Sequence, residues 1–449
     1  MESRSSQPSP SRKSGKLDLR PSLGFIILAT VAAVFAVWSA PLVPFHPDES
    51  AYIFMSSDFE AYWNKPLSLV WTTNTDIDLR MHYRMIDAPL GRLMIGLVRF
   101  ISRSEALTQD WDWSRTWDEN RQAGALPRPA LLHVARLSIT LLLPLSMYFC
   151  YLVGKRMNGE LVGLLASLLL SVNMLVLLHA RRAMAEGALT FGVSFTIWSL
   201  LYADRHPWLA GIGLALAINA KHSALALLPV TLLAVAWEAS PAADLLWRQH
   251  LRQLIAREAQ MLIVLTGVTL ALNPFLWRNP LQAVQTALQR REDLLQKQVE
   301  DARLFAPEKL LETPTERSAA LLINLFFAPP SFAEYGNYRT ETAPAEQAYL
   351  AIPLHNLLRG LVGGSILLAL TLTGILLALL QLGWVGAEQR RILALILLAT
   401  ACQFIGLLFF VPLAWQRYVI PLVPMVSLWA AYPWGDILYR FSRKNVTFG

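Results

Sequence analysis

Residues 44–52 read PFHPDESAY, and three of them, His46, Asp48 and Glu49, are of types that move protons or hold cations. One carboxylate of such a pair can take a proton from an acceptor hydroxyl while the other orients a substrate or a metal ion. The stretch follows directly on an apolar run of about 20 residues, the length that crosses a bilayer. Adjacent carboxylates at a membrane surface are costly unless cations, a metal or a substrate hydroxyl offset them. The stretch therefore reads as a site, and the competing reading is a solvated loop in which Pro47 is only a turn residue.

Later residues offer partners. Arg136, in PALLHVARLSITLLL, lies about seven residues inside a second apolar run, roughly 10 Å along a helix. An arginine at that depth costs about 2.5 to 3.5 kcal/mol on insertion scales. It is predicted to face the bundle and meet an anion, which Asp48, Glu49 or a phosphate would supply; the alternative is snorkelling to the headgroups. Arg181, Arg182 and Glu186 share HARRAMAEGALTF, where Glu186 can pair with Arg182 at i,i+4. Lys221 and His222 sit in LAINAKHSALALLP, and Arg417 in WQRYVIPLVP. Cations at three separate span junctions, on a side where few are expected, favour an anionic ligand such as a lipid phosphate.

The elements that must position these residues are membrane helices. Of 449 residues 54% are hydrophobic and 16% charged, against about 25% charged in soluble domains, and mean hydropathy is +0.39. Ten spans are expected, at about 22–42, 129–153, 160–179, 186–203, 208–220, 223–238, 259–275, 354–382, 391–412 and 418–434. With the N-terminus in the cytoplasm, every inside loop is basic, as the positive-inside rule asks. The net charge of +7 thus goes to topology, and nucleic acid is not an expected partner. Residues 1–21 read as a disordered basic tail, 22–434 as one transmembrane domain and 435–449 as a second cytoplasmic tail. Cys150 and Cys402 fall in apolar runs, which argues against a disulfide framework or a metal cluster.

Two external loops, 43–128 and 276–353, are long enough to carry chemistry. Within the first, residues 89–102 put Leu90, Leu93, Met94, Leu97 and Ile101 on one helical face and Arg92, Arg99 and Arg103 on the other. That pattern predicts a helix in the interface plane, apolar face in lipid. Residues 242–258 suggest a similar interfacial helix on the cytoplasmic side, and 281–304 an amphipathic external one. There is no solenoid repeat and no nucleotide-cradling glycine loop.

PFHPDESAY, DAPLGRLM (87–94), ARLS in the second span, ARRAMAE, NAKHSALALLP and RYVIPLVP together resemble the protein O-mannosyltransferase-like branch of lipid-linked-sugar glycosyltransferases, family 39 of the GT-C fold. The resemblance is spread over nearly the whole chain. It implies an all-α GT-C-like bundle in the cytoplasmic membrane with its active site on the extracytoplasmic side. It also implies that Asp48 and Glu49 match the family's acidic pair, with Asp48 the base, and that Arg136 matches the arginine holding that pair or the donor phosphate. Arg181 and Glu186 match an arginine and an acid five residues on; Lys221 and Arg417 match outer-side cations. Ala88 replaces the first proline of a PPLG-like stretch. Neither a soluble β-trefoil insert nor a soluble C-terminal domain is expected, so acceptor recognition falls to the two external loops.

The expected activity is inverting transfer of a sugar from a polyprenyl-monophosphate donor to a hydroxyl on a protein, lipid or polysaccharide. Arg136, Arg181, Arg182, Lys221 and Arg417 are the candidates for the donor phosphate, with His46, Glu186 and His222 in support. A divalent cation, Mg²⁺ or Mn²⁺, on Asp48 or Glu49 and the phosphate suits the hard oxygen ligands, although the sequence offers no full set. The rival readings are a transporter or flippase, and a non-catalytic subunit that keeps the fold.

Overall fold

The computed structural model describes residues 19–72, 78–237, 247–334 and 338–435. Most of the two expected tails, and the start of the segment expected at 242–258, lie outside them. Ser22 accepts the Phe25 N–H (3.2 Å) and so starts α1 (Leu23–Ser39), an apolar helix that a short turn extends to Leu42. The first long loop then folds into α2 (Pro47–Met55), α3 (Asp58–Asn64), α4 (Leu79–Ile86), α5 (Leu90–Ile101) and α6 (Trp117–Gln122).

Helix α5 has the expected apolar face only toward its C-terminal end: Leu97, Phe100 and Ile101 are exposed, but Leu90 is buried and Met94 packs against the core, and Arg92 and Arg99 are buried as well. The arginines face acids instead of water: Arg92 and Arg84 flank Asp58 (3.1 and 2.7 Å), and Arg99 pairs with Glu60. Gly96 lets α5 touch α3, since a Cβ there would meet Ser56 O and the Phe59 side chain.

The bundle begins with α7 (Pro129–Thr140) and α8 (Leu143–Asn158), which together form a 30-residue apolar run. The span expected at 160–179 is broken into α9 (Glu160–Ser171) and α10 (Met174–His179), because the Asn173 side chain caps the second piece by accepting the Leu175 N–H (3.0 Å). Next come α11 (Ala185–Leu200), α12 (Pro207–Ala220) and α13 (Leu228–Ala236), the last preceded by a tighter turn at His222–Leu227. Gly192 allows α11 and α12 to approach closely: a Cβ would lie 2.6 Å from Ala217 Cα. Small residues at such crossings are how membrane helices pack without a hydrophobic driving force.

One expectation is corrected here. Residues 247–258 are not a separate interfacial helix but run straight into the next span as α14 (Trp247–Leu272). No proline or glycine interrupts the stretch from 247 to 266, so helix propagation continues through the charged residues.

The second long loop carries α15 (Pro280–Phe305), the expected amphipathic helix, then α16 (Pro314–Leu322) and α17 (Arg339–Leu350). The chain ends in α18 (Gly360–Gln381), α19 (Ala387–Phe410) and α20 (Val423–Ala431), with a tight turn at Gln416–Leu422 before α20. Five segments, Leu23–Leu42, Pro129–Asn158, Trp247–Leu272, Gly360–Gln381 and Ala387–Phe410, are long and apolar enough to cross a membrane. The remaining expected spans are short or broken helices. The fold is all-α; an isolated bridge between Leu310 and Leu413 is the one β pairing among the described residues.

Candidate active site

The sequence HPDE is a complete helix start. His46 Nδ1 accepts the Asp48 N–H (3.1 Å), Glu49 Oε2 accepts the His46 N–H (3.1 Å), and Pro47 occupies the first helical turn, where its missing N–H costs nothing. Successive helical residues differ by about 100° in direction, so the cap aims the two carboxylates apart.

Glu49 turns inward and is fully buried. The Arg136 guanidinium grips it with two bonds, Nε to Oε1 (2.8 Å) and Nη2 to Oε2 (2.7 Å), and Oε1 also accepts the Ala183 N–H (2.9 Å). Arg136 Nη1 donates to Ala40 O (2.9 Å) and Val43 O (2.8 Å). The ion pair therefore ties the end of α1, the start of α2, α7 and the turn before α11 together. Burial alone would raise the Glu49 carboxyl, but the Arg136 charge and its hydrogen bond outweigh that and hold it below the ordinary value. Each Glu49 oxygen already takes two N–H groups, which leaves no free lone pair for a metal. Among the described residues no group of three or more His, Cys, Asp and Glu side chains could hold one.

Asp48 turns outward, with 28% of its side chain exposed, and pairs with Arg417. Arg417 Nε lies 3.2 Å from Glu334 Oε1, and Glu334 Oε2 is 2.8 Å from His46 Nε2. Because His46 Nδ1 is an acceptor, Nε2 carries the proton and donates to Glu334. Thus a chain of four groups, His46, Glu334, Arg417 and Asp48, links the cap of α2 to the second external loop and the turn before α20. Burial would raise the Glu334 carboxyl, but Arg417 and His46 hold it well below its usual range. The same carboxylates keep Arg417 charged against its own burial.

Lys221 pairs with Glu186 (2.8 Å) and lies over the Tyr418 ring. The expected Glu186–Arg182 pair does not form, since α11 begins at Ala185 and Arg182 sits in a non-helical turn. Arg182 instead donates to Pro44 O (3.3 Å) and Phe332 O (3.0 Å), and its Nε has no partner. Arg181 is sealed in: it bonds Ser39, Leu177 O, the Tyr349 hydroxyl (3.0 Å) and His355 (3.0 Å). Arg136 and Arg181, expected as phosphate ligands, thus spend their donors on protein, and Arg182 is only 1% exposed. His222 is exposed on the turn before α13. The candidates that still reach the open side are Lys221 and Arg417, whose side chains are 19% and 14% exposed.

Several residues here had no flag in the sequence. Glu334 is a lone acid in FAEY, a stretch whose aromatic flanks in a long external loop were the available signal. His179 is buried with both ring nitrogens unpartnered, as is Glu186 Oε2, and it lies within electrostatic reach of Arg182, Glu186, Glu334 and Arg417. Asp87 and Asp110 lie within reach of Asp48. Burial raises both; Asp110, which accepts from the Tyr83 hydroxyl, is pushed up to about 6. The arrangement can therefore offer a part-exposed carboxylate beside the cation Arg417, with Lys221 held on Glu186 and protonatable groups around it.

No curated protein matches the chain in sequence. The family model of dolichyl-phosphate-mannose-protein mannosyltransferase matches residues 110–277, a range that includes Arg136, Arg181, Glu186 and Lys221 but not Asp48 or Arg417. Three solved structures match the chain. The archaeal oligosaccharyltransferase AglB from Archaeoglobus fulgidus, in complex with an inhibitory peptide and a dolichol-phosphate, is 11% identical over 95% of this chain and 52% of its own, with a TM-score of 0.50. ArnT from Cupriavidus metallidurans bound to undecaprenyl phosphate is 14% identical over 92% and 60% (TM-score 0.49). The S. cerevisiae protein O-mannosyltransferase Pmt1-Pmt2 complex bound to the sugar donor is 14% identical over 59% and 34% (TM-score 0.37). The chain thus spans about a third to three fifths of these proteins' lengths. The protein is an integral membrane protein with the GT-C fold, and its residues 110–277 carry the match to the dolichyl-phosphate-mannose-protein mannosyltransferase family.

Proposed function

We propose that the protein is an inverting glycosyltransferase that moves a sugar, mannose or another, from a polyprenyl-monophosphate donor to a hydroxyl on the extracytoplasmic side. The observation that carries this reading is Asp48: a part-exposed carboxylate beside the cation Arg417, on a helix start fixed by its own cap. In the reaction Asp48 takes the acceptor's hydroxyl proton as the acceptor oxygen bonds the anomeric carbon. The bond from that carbon to the phosphate oxygen breaks, and the electron pair leaves with the polyprenyl phosphate. Attack from the face opposite the phosphate inverts the anomeric centre. Phosphate is a good leaving group, so the site needs charge stabilisation there more than an acid. Arg417 and Lys221 supply it, and Arg136 and Arg181 act by fixing the framework.

The Arg417 bridge gives Asp48 a trigger. Arg417 holds an Asp48 oxygen; a donor phosphate that draws Arg417 away frees that oxygen to take the hydrogen of the acceptor hydroxyl. Glu334 keeps hold of Arg417 during that shift. Glu49 has no oxygen free for a metal, so a divalent cation here would fall to Asp48 and the donor phosphate. Acceptors of protein, lipid or polysaccharide type remain open to the two external loops, and the basic inside loops support the extracytoplasmic placement.

The test is incubation of purified protein in detergent with radiolabelled polyprenyl-phosphate mannose and a panel of hydroxyl acceptors, reading free polyprenyl phosphate and labelled acceptor. Wild type should release both together, and Asp48→Asn, folded normally, should release neither. Transfer by Asp48→Asn at the wild-type rate would sink the assignment. Movement of intact donor across liposomes without cleavage would instead make the protein a flippase.

A further inference from the structure

A second cation stands apart from the Asp48 site. Arg359 precedes α18 and is 7% exposed. Its Nη1 donates to Asn324 O (3.0 Å), while Nη2 is buried with no partner. Arg92, Arg99, Arg136 and Arg391 each face a carboxylate, yet among the described residues Arg359 has none. A buried, uncompensated charge is costly, and the backbone holds it there at some expense. Leu358, with φ 56°, sits in the left-handed region that only glycine enters freely, and Gly360 follows at φ 68°.

Arg359 lines a narrow cleft between α9, the Asn173 turn, α18 and α20, whose cavity volume of about 10 Å³ has room for a single oxygen-sized group. Leu169, Val172, Leu367 and Val426 form apolar walls, and Asn173 and Ser427 add polar groups. Helix α18 starts without a side-chain cap, so its first N–H groups and positive dipole end add to the Arg359 charge. Outside the cleft, Leu361, Val362 and Ile366 are exposed on α18, a helix long and apolar enough to cross the membrane. Cation, unspent N–H groups and greasy surface follow one another along a single helix, in the order of a phospholipid's headgroup and tail.

We propose that Arg359 and this cleft bind the phosphate of a membrane lipid, one phosphate oxygen entering to accept from Nη2 while the hydrocarbon chain lies on Leu361, Val362 and Ile366. The site does not depend on the glycosyltransferase reading. The lipid supplies the charge that the protein omits, and it steadies α18 against the Ile323–Phe327 turn through the Arg359 bond to Asn324.

Native mass spectrometry of the full chain in detergent, titrated with phosphatidylglycerol and, separately, with diacylglycerol, tests this. Wild type should bind phosphatidylglycerol at least tenfold more tightly than diacylglycerol. Arg359→Gln, which keeps N–H donors but loses the charge, should erase that preference. Val172→Phe, which fills the cleft and leaves Arg359 in place, should weaken phosphatidylglycerol to a similar degree, and it decides the matter if Arg359→Gln fails to fold. An undecaprenyl phosphate arm identifies the source: binding tenfold tighter than phosphatidylglycerol, and dependent on Arg359, assigns the site to a polyprenyl lipid. Equal binding of phosphatidylglycerol and diacylglycerol by wild type, wild-type binding by the folded variants, or equal protection by inorganic phosphate alone would overturn the proposal.

Discussion

The two sides of α2 differ in what completes them. On the Glu49 side every polar group is answered by protein: two oxygens, four N–H donors and a guanidinium whose remaining bonds go to backbone carbonyls. On the Asp48 side the ion pairs are partly exposed, and His179 Nδ1 and Glu186 Oε2, within electrostatic reach of Arg417, have no protein partner. Adjacent acids in the chain therefore have separate uses. One is spent on holding four segments together, and the other is the one that the proposed reaction uses as base.

The contrast predicts opposite phenotypes. The largest effect on folding should come from Arg136→Leu, which strands a buried carboxylate. A loss of about 3 to 5 kcal/mol is expected for breaking such a pair, read as a lowered unfolding temperature in detergent and poor recovery. Normal stability of that variant would break the distinction. Asp48→Asn should do the reverse, leaving unfolding nearly unchanged while turnover falls by about 10² to 10⁴, the range for a lost general base. Arg417→Gln should cost about 10² to 10³ in kcat, as for removal of one charge-stabilising donor.

The smallest effect concerns Asp110, at the rim. Its carboxyl is raised to about 6, chiefly by burial, so the folded state prefers it protonated. The resulting stabilisation is complete below the unfolded value of about 4 and fades as pH rises through 6. Wild type should therefore lose stability relative to Asp110→Asn between pH 4 and 7, by on the order of 2 kcal/mol. A constant difference in unfolding temperature across that range would show that Asp110 titrates normally.

Some of this was legible because single residues broke the local rule. An arginine seven residues into an apolar run had to find an anion, and Arg136 found Glu49. The alternation of Leu97 and Ile101 with Arg92 and Arg99 foretold two faces on the second half of α5, but not that Leu90 and Met94 would turn to the core or that the arginines would be buried against acids. Which anion Arg136 would take, and which arginines would be spent on carbonyls, was not legible: Arg181 reads like Arg182 in the chain, and only their surroundings differ. Likewise the interfacial helix expected at 242–258 was a misreading of α14, since charge density alone does not end a helix.

Composition and hydropathy by themselves determined the membrane bundle, because burial in lipid depends on each segment's own side chains and the backbone must satisfy itself within the helix. The HPDE cap was likewise fixed locally, its bonds spanning no more than three residues. The Asp48–Arg417 and His46–Glu334 contacts join groups 369 and 288 residues apart. No local pattern encodes them. They exist because helix packing brings three distant segments to one end of the bundle, where Coulomb attraction acts on distance in space and is indifferent to distance along the chain.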